Sequence, residues 1–347
     1  MSSRATISDV AEKAGVSIST VSRVLNNTVP VDEEAAARVR AAVSALNYTP
    51  HSAARTLASR RTKTIGLLLL DIGGDFYTPM LRGIEAVSSQ AGYDLLIHST
   101  IASLSGTPFR RALGEHNTDG LLVFTEALDQ AELTRLQAIG FPVVLLHQSS
   151  PKDLAIPVIT IENQSGAQKV VDHLIDVHGC KRILFLQGPA DNEDSAEREK
   201  GYRQSLKKHQ IPFDACLVAR GGFEPNQAHS VVAQLLADGL EFDAIFTGDD
   251  DNAVGVIQAL REAGRHIPGD VALAGFDDSL FARILTPPLT TVRAPIEQVG
   301  QAAARQLLRL IHAEQVEARL VLPTELIIRQ SCGCPDDPTR MHDPTRR

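Results

Sequence analysis

Between residues 65 and 278 the chain repeats one texture: a short run rich in Val, Ile and Leu, then a longer stretch of helical periodicity. The apolar runs are IGLLLLD (65–71), YDLLIHS (93–99), GLLVFTE (120–126), PVVLLHQ (142–148), VITIE (158–162), RILFLQG (182–188), AIFTGDD (244–250) and VALAGFDD (271–278). Continuous apolar runs suit strands buried on both faces, as in parallel sheets. The intervening patterns predict helices over 79–91, 129–139, 163–178, 195–209, 225–238, 251–263 and 295–314. Such a βαβ series is too long for one open sheet and predicts two doubly wound sheets.

The residues at the strand ends narrow the chemistry. No G-x-G-x-x-G or G-x-x-x-x-G-K-[ST] opens any of the helices, and DIGGDF (71–76) lacks the spacing, which argues against a nucleotide-binding enzyme. Ser165 and Ser195 stand at polar helix starts without a paired base, so no nucleophilic constellation is expected, and no cofactor. Polar groups do gather at strand ends, where open α/β sheets bind ligands. They are Asp71, Asp75, Phe76, Glu126, His147, Gln148, Asp249, Asp250, Asp251, Asp277 and Asp278. Any one acid can be a helix cap; the set favours a polar ligand, with aspartates accepting hydroxyls and an aromatic face covering an apolar side. Three consecutive acids at 249–251 cannot all face one point, so capping plus ligand contact is expected there rather than a divalent-ion site. His147 has no second ligand paired with it by spacing, so no metal or catalytic role is assigned to it.

The four cysteines, Cys180, Cys216, Cys332 and Cys334, give neither a disulfide framework nor a zinc pattern, because SCGC (331–334) is C-x-C rather than C-x-x-C. They read as structurally idle thiols, and no metal is expected. No run of eighteen apolar residues appears, and the polar start MSSRATISDV lacks the apolar region of a signal peptide, so the expectation is a cytoplasmic chain that meets no membrane.

Charge is unevenly spread. The net charge is −8, yet residues 1–63 hold nine Lys/Arg against five Asp/Glu, so the rest carries −12. A basic head on an acidic body suggests a head that meets a polyanion. In TISDVAEKAGVSISTVSRVLN (6–26), Thr6 and Asp9 form a T-x-x-D capping pattern, and Ile7, Val10, Ala11 and Ala14 fall on one helical face. Gly15 stands where a left-handed residue is wanted. Ser17 caps a second helix, stapled by Val16 and Val21, that hides Val21, Val24 and Leu25 and presents Ile18, Ser19, Ser22, Arg23 and Asn26. A third helix capped by Asp32 buries Ala35, Val39, Val43 and Leu46. This is the helix-turn-helix layout. Arg23 can donate two hydrogen bonds to guanine, Ile18 can touch a thymine methyl, and the hydroxyls of Ser17, Thr20 and Ser22 suit phosphate oxygens. In NYTPHSAARTLASRRTK (47–63), too short for a stable isolated helix, Leu57 is the only large apolar side chain. It reads as a hinge that folds on DNA and wedges Leu57 into the minor groove.

These motifs, together with LNYTPHSAARTLA, make the chain resemble the lactose-repressor (LacI/GalR) family of bacterial transcription regulators. DFYTPMLRGIEAV, NTDGLLVF, IENQSGAQKVVDHLI, AEREKGY, AIFTGDDDNAVG, VALAGFDD and LTPPLTTVRAP extend the resemblance to about residue 334. The resemblance implies an all-α helix-turn-helix head plus an α/β periplasmic-binding-protein-like core of two doubly wound parallel-sheet lobes with three crossovers. It places the head at 1–48, a hinge at 49–63 and the core at 64–335; by composition the last residues, 336–347, read as a disordered tail. The N-lobe would take about 64–162 and 293–324, the C-lobe about 163–292 and 325–335. Base choice would fall on Ile18, Ser19 and Arg23, the wedge on Leu57 preceded by Ala54, and a phosphate contact on Tyr48. Effector contacts would come from Phe76, His147, Asn163, Asp194, Arg198, Asp249 and Asp277. His147-Gln148 stands where the family often has Asp-Arg, and His51 where its hinge commonly has Asn or Ser.

The implied function is sequence-specific, operator-binding repression by a homodimer on palindromic DNA, controlled by a small-molecule effector. Sugar leads and a nucleobase or other metabolite follows, the latter acting as corepressor. Helices 79–91 and 251–263 are the candidate dimer surfaces. A transport-type sugar-binding protein would need export and no basic head; an α/β enzyme would need a catalytic constellation.

Overall fold

The computed structural model describes residues 5–26, 29–48, 61–70, 73–74, 76–100, 113–125 and 127–335. The chain divides into two units, Met1–Thr62 and Lys63–Arg347. Within the first, helices α1 (Ile7–Ala14), α2 (Ile18–Asn26) and α3 (Glu33–Ala45) pack around Val10, Ala11, Ala14, Val21, Val39, Ala42 and Tyr48. The capping box is formed: Thr6 N donates to Asp9 Oδ2 at 2.7 Å, and Asp9 N donates to Thr6 Oγ1 at 3.4 Å. Gly15 ends α1 at φ 63°, and the Ser17 hydroxyl accepts from Thr20 N at 3.2 Å to open α2. Asp32 caps α3 by accepting from Ala35 N at 3.1 Å.

The second unit contains β1 (Thr64–Leu69), α4 (Tyr77–Gln90), β2 (Asp94–Ser99), β3 (Gly120–Phe124), α5 (Gln130–Ala138), β4 (Val143–Leu146) and β5 (Val158–Ile161). Next come α6 (Asn163–His178), β6 (Ile183–Gln187), α7 (Glu193–Lys208), β7 (Val218–Arg220), α8 (Pro225–Ala237), β8 (Ala244–Thr247), α9 (Asp250–Glu262) and β9 (Ala272–Ala274). It ends with α10 (Leu280–Ile284), β10 (Thr291–Arg293), α11 (Ile296–Ile311), β11 (Arg319–Leu322) and β12 (Glu325–Ile327).

Two parallel sheets result, one six-stranded in the order β11-β5-β4-β3-β1-β2 and one four-stranded in the order β7-β6-β8-β9. The chain passes between them after β5, after β10 and after β11, and an antiparallel pair, β10–β12, lies at the passage. The central strands β3 and β4 are buried at every residue, as continuous apolar runs require. In the smaller sheet Phe185 stacks on Phe246 and Tyr202, with centroids 5.1 and 5.4 Å away; each such buried ring stabilises by about 1.5–3 kcal/mol.

Helix pairs flank both sheets at close range, and glycine permits it. A Cβ on Gly83 of α4 would lie 2.1 Å from the Glu297 carbonyl oxygen of α11, and one on Gly255 of α9 would lie 1.9 Å from the Pro225 carbonyl oxygen of α8. At the passage, buried Asp278 accepts from Arg283 of α10 (3.2 Å), Arg293 of β10 (2.7 Å) and Arg329 beyond β12 (2.5 Å). No helix among the described residues is long and apolar enough to cross a membrane.

Candidate functional site

The head displays one face of α2. Ser17, Ile18, Ser19 and Arg23 are exposed, Thr20 and Ser22 half-buried. The Ser17 hydroxyl lies 2.8 Å from that of Ser19 and 2.9 Å from that of Thr20, so three hydroxyls form a patch at the helix start. The first-turn N–H groups and these hydroxyls suit a phosphate oxygen. Arg23 makes no hydrogen bond or ion pair among the described residues. Thr6 is engaged in its own cap, its hydroxyl 2.9 Å from Asp9 Oδ2. Tyr48, expected to contact phosphate, is only 8% exposed and packs in the head's core. The Asn26 side chain, Ala54 and Leu57 lie outside the described residues, as do most of the hinge and Asp71, Asp75 and Glu126.

In the second unit a cavity of about 550 Å³ opens between the two sheets. From the larger sheet's side it is lined by Phe76, Tyr77, Phe124 and Thr125; from the smaller sheet's side by Asp194, Arg198, Phe223, Asp249, Asp277 and others. Phe76, Tyr77 and Phe124 meet edge to face at centroid distances of 5.4–5.9 Å, forming an apolar wall.

Opposite it stands Arg198, 3% exposed, projecting from α7. Its Nε donates to Asn163 Oδ1 at 2.9 Å, its Nη1 donates to the Gly248 carbonyl, and its Nη2 reaches Asp277 Oδ1 at 3.4 Å. The guanidinium lies 3.8 Å from the centroid of the Phe276 ring. Asn163 in turn donates to Asp194 Oδ1 at 2.7 Å, and His147 Nδ1 lies 2.6 Å from Asp194 Oδ2. These residues form one connected polar network.

His147 and Asn163 line an adjoining cavity of about 380 Å³ that shares Asp194 with the main one, which is lined by Phe76, Asp194, Arg198, Asp249 and Asp277. His147 is 1% exposed and is fixed by Asp194, so it positions an acid at the cleft.

The carboxylates divide by environment. Burial opposes ionisation of Asp194, but His147, Arg198 and Asn163 outweigh it and hold that carboxyl below its usual range. Burial, reinforced by Asp277, pushes Asp249 and Asp250 well above it. Burial also lifts Asp277 to about 7, against the pull of Arg198. Near neutral pH the cleft thus carries carboxyls that both donate and accept, which suits hydroxyl groups. Asp249, Asp250 and Asp251 all border the main cavity, and the first two are held differently. Asp249 caps α9 through Asn252 N at 2.9 Å, while Asp250 is held by Thr291 Oγ1 at 2.7 Å and Ser279 N at 2.8 Å.

Backbone geometry aims these groups. His147 (φ 55°), Phe223 (φ 62°) and Asp277 (φ 110°) all adopt positive φ, a region costly for residues with a Cβ. His147 follows β4 directly and Asp277 lies shortly beyond β9, so the turn falls where the sheet ends and the site begins.

Residues 6–51 match the family model for bacterial regulatory proteins, lacI family, and residues 171–332 match that for a periplasmic binding protein-like domain. The HTH-type transcriptional regulator RegA of Clostridium saccharobutylicum is 34% identical over 328 residues, covering 94% of this chain and 98% of its own. The chain belongs to the lacI family. The ribose operon repressor of Escherichia coli (strain K12) is 33% identical, with 94% and 99% covered. Among solved structures, the lac repressor dimer bound to operator and an anti-inducer superposes with a TM-score of 0.82 at 25% identity, covering 95% of this chain and 99% of that one. A CelR–cellobiose complex superposes at 0.70 and 30% identity, covering 94% and 100%.

This lacI-family chain is accordingly a DNA-binding transcription regulator, not an enzyme. Sequence reading missed several of its cleft residues. Tyr77 and Phe124 carried no signal beyond an aromatic at a strand or helix end, and Phe223 sits in GGFEP, a loop without periodicity. The adjacency of His147 and Asp194, 47 residues apart in the chain, had no local signature.

Proposed function

We propose that this regulator is a repressor whose operator affinity is set by a sugar bound between the two lobes. The observation that carries the reading is the cavity itself: an aromatic wall facing a buried arginine and several carboxyls. An aromatic wall accepts the apolar face of a pyranose or furanose ring, and the carboxyls and Arg198 take its hydroxyls. Relatives named for ribose, and a neighbour solved with cellobiose, support the same class.

In this reading residues 1–48 bind the operator, 49–63 connect and 64–335 sense. Phe76, Asp194, Arg198, Asp249 and Asp277 contact the effector, with His147 and Asn163 holding two of them in place. Ser17, Ile18, Ser19, Thr20, Ser22, Arg23 and Asn26 meet the DNA, Thr6 and Tyr48 approach its backbone, and Leu57 after Ala54 enters its minor groove.

A palindrome requires two heads, so the working unit is a homodimer. Leu96 and Ile97 on β2, and Leu280 and Ile284 on α10, are large apolar side chains left exposed, and they support a partner surface in addition to helices α4 and α9.

The test is a thermal-shift and calorimetric screen of pentoses, hexoses, disaccharides and nucleosides, on wild type and on Arg198→Ala and Asp277→Ala. A sugar that binds wild type and loses at least roughly tenfold affinity in both variants supports the reading. Binding of nucleosides alone replaces the sugar. A sugar hit unaffected by both changes removes the site from this cleft.

A further inference from the structure

A second cluster lies at the far end of α6, away from the cleft residue Asn163 that begins that helix. His173 and His178 come from its last turns; Cys332 ends the short 3-10 turn Gln330–Cys332 that follows β12, and Cys334 lies two residues further on. One donor atom from each lies within 4.8 Å of every other. Cys332 Sγ is 3.5 Å from His173 Nε2, Cys334 Sγ is 3.6 Å from the same nitrogen, and Cys334 Sγ is 3.4 Å from His178 Nε2. We propose that these four side chains form a structural zinc site.

The spacing is the first argument. Zinc bonds of about 2.3 Å to sulfur and about 2.0–2.1 Å to nitrogen, at tetrahedral angles, put neighbouring S and N atoms roughly 3.6 Å apart. The three sulfur–nitrogen separations all fall beside that value. Hydrogen bonding alone gives no reason for both sulfurs to approach one imidazole nitrogen, which has a single lone pair. Cys332 also has the Arg329 carbonyl within 3.4 Å as an acceptor and does not need His173 for that purpose.

Burial and charge are the second argument. Cys332 is 2% and His173 9% exposed, while His178 and Cys334 are half-buried, so a metal has both an interior seat and an entry path. Two thiolates balance Zn²⁺ and two neutral imidazoles add nothing, so the filled site buries no net charge. An outer partner is also in place: Thr290 Oγ1 donates to Cys332 Sγ at 3.1 Å.

The turn is the third. Gly333 has φ 104°, and a Cβ there would meet the His178 ring at 3.3 Å. Glycine between the cysteines lets both sulfurs turn to one side. The clustering of these thiols with two imidazoles had no local signature, for a reason of distance. C-x-C is short of the usual knuckle, and the two histidines lie more than 150 residues earlier, spaced i, i+5 rather than on one helical face.

Binding is an exchange in which Zn²⁺ displaces one proton from each thiol, two protons leaving to solvent as two Zn–S bonds form. The experiment uses the full-length, untagged chain, stripped by chelator and dialysed, with circular dichroism to verify folding. Zinc titration against a chromophoric competitor, with metal content by mass spectrometry, should give about one tight zinc per chain. Cobalt(II) should give the intense visible bands of a tetrahedral thiolate site. Cys334→Ser and His178→Gln should each weaken zinc by more than roughly 100-fold, beyond the loss of an outer partner, and Thr290→Val by about tenfold. Absence of stoichiometric zinc in the folded wild type overturns the proposal. So does unchanged affinity in either folded ligand variant, or a Cys332–Cys334 disulfide formed in the presence of excess zinc.

Discussion

At the scale of the residue, Arg23 and Asp277 carry predictions of different kinds. Arg23 is exposed on α2 with a guanidinium unengaged among the described residues, so Arg23→Ala should relax base choice at one position per half-site at a cost of about 1–3 kcal/mol. Competition binding against operator libraries reads this; uniform weakening across sequences would make Arg23 a phosphate contact. Asp277 is lifted to about 7 by burial, so its contribution to stability is fully present below about pH 4, the usual unfolded value, and is lost as pH rises through about 7. Asp277→Asn should therefore gain on wild type by up to about 1.4 kcal/mol per pH unit across that window, and the gain should level off above it. Denaturant unfolding from pH 5 to 8 measures the difference, and a flat difference would contradict the assignment.

At the scale of the element, Gly83→Ala would drive a Cβ into the Glu297 carbonyl and force α4 away from α11, at a cost of about 1–3 kcal/mol. Thermal unfolding checks it, and an unchanged melting temperature would show that the pair relaxes freely. Elements were the most legible part of this sequence. Long apolar runs such as LLVF and VVLL announced β3 and β4, and the Thr6, Gly15 and Ser17 punctuation announced α1 and α2, because each rests on local chemistry. β7, β10 and β12 are three residues each and give no periodicity to read; they exist because neighbours pair with them. The same division holds for the cleft. Phe76 and Asp277 were visible as strand-end groups, but the hand-over from Arg198 through Asn163 and Asp194 to His147 depends on tertiary approach.

At the scale of the whole molecule, charge segregation and linkage set the expectations. If the basic head alone meets the nucleic acid through six to ten phosphate contacts, operator affinity should fall roughly a thousandfold or more between 50 and 200 mM salt. Effector and operator must also act on each other equally. If effector changes operator affinity by a factor in the usual range of roughly 5–150, saturating operator must change effector affinity by the same factor. Calorimetry with and without a palindromic duplex tests this, and unequal factors would show that a further state is present.

The three arginines gathered on Asp278 bear on how the lobes turn. One carboxylate ties the helix after β9, a returning strand and the segment that leaves for the last time. If the lobes rotate at this junction, a carboxylate shared by three arginines would let the halves swing while resisting their sliding. Displacement then grows with distance from the pin, so a small change of angle around a ligand becomes a large stroke at the lobe's outer edge.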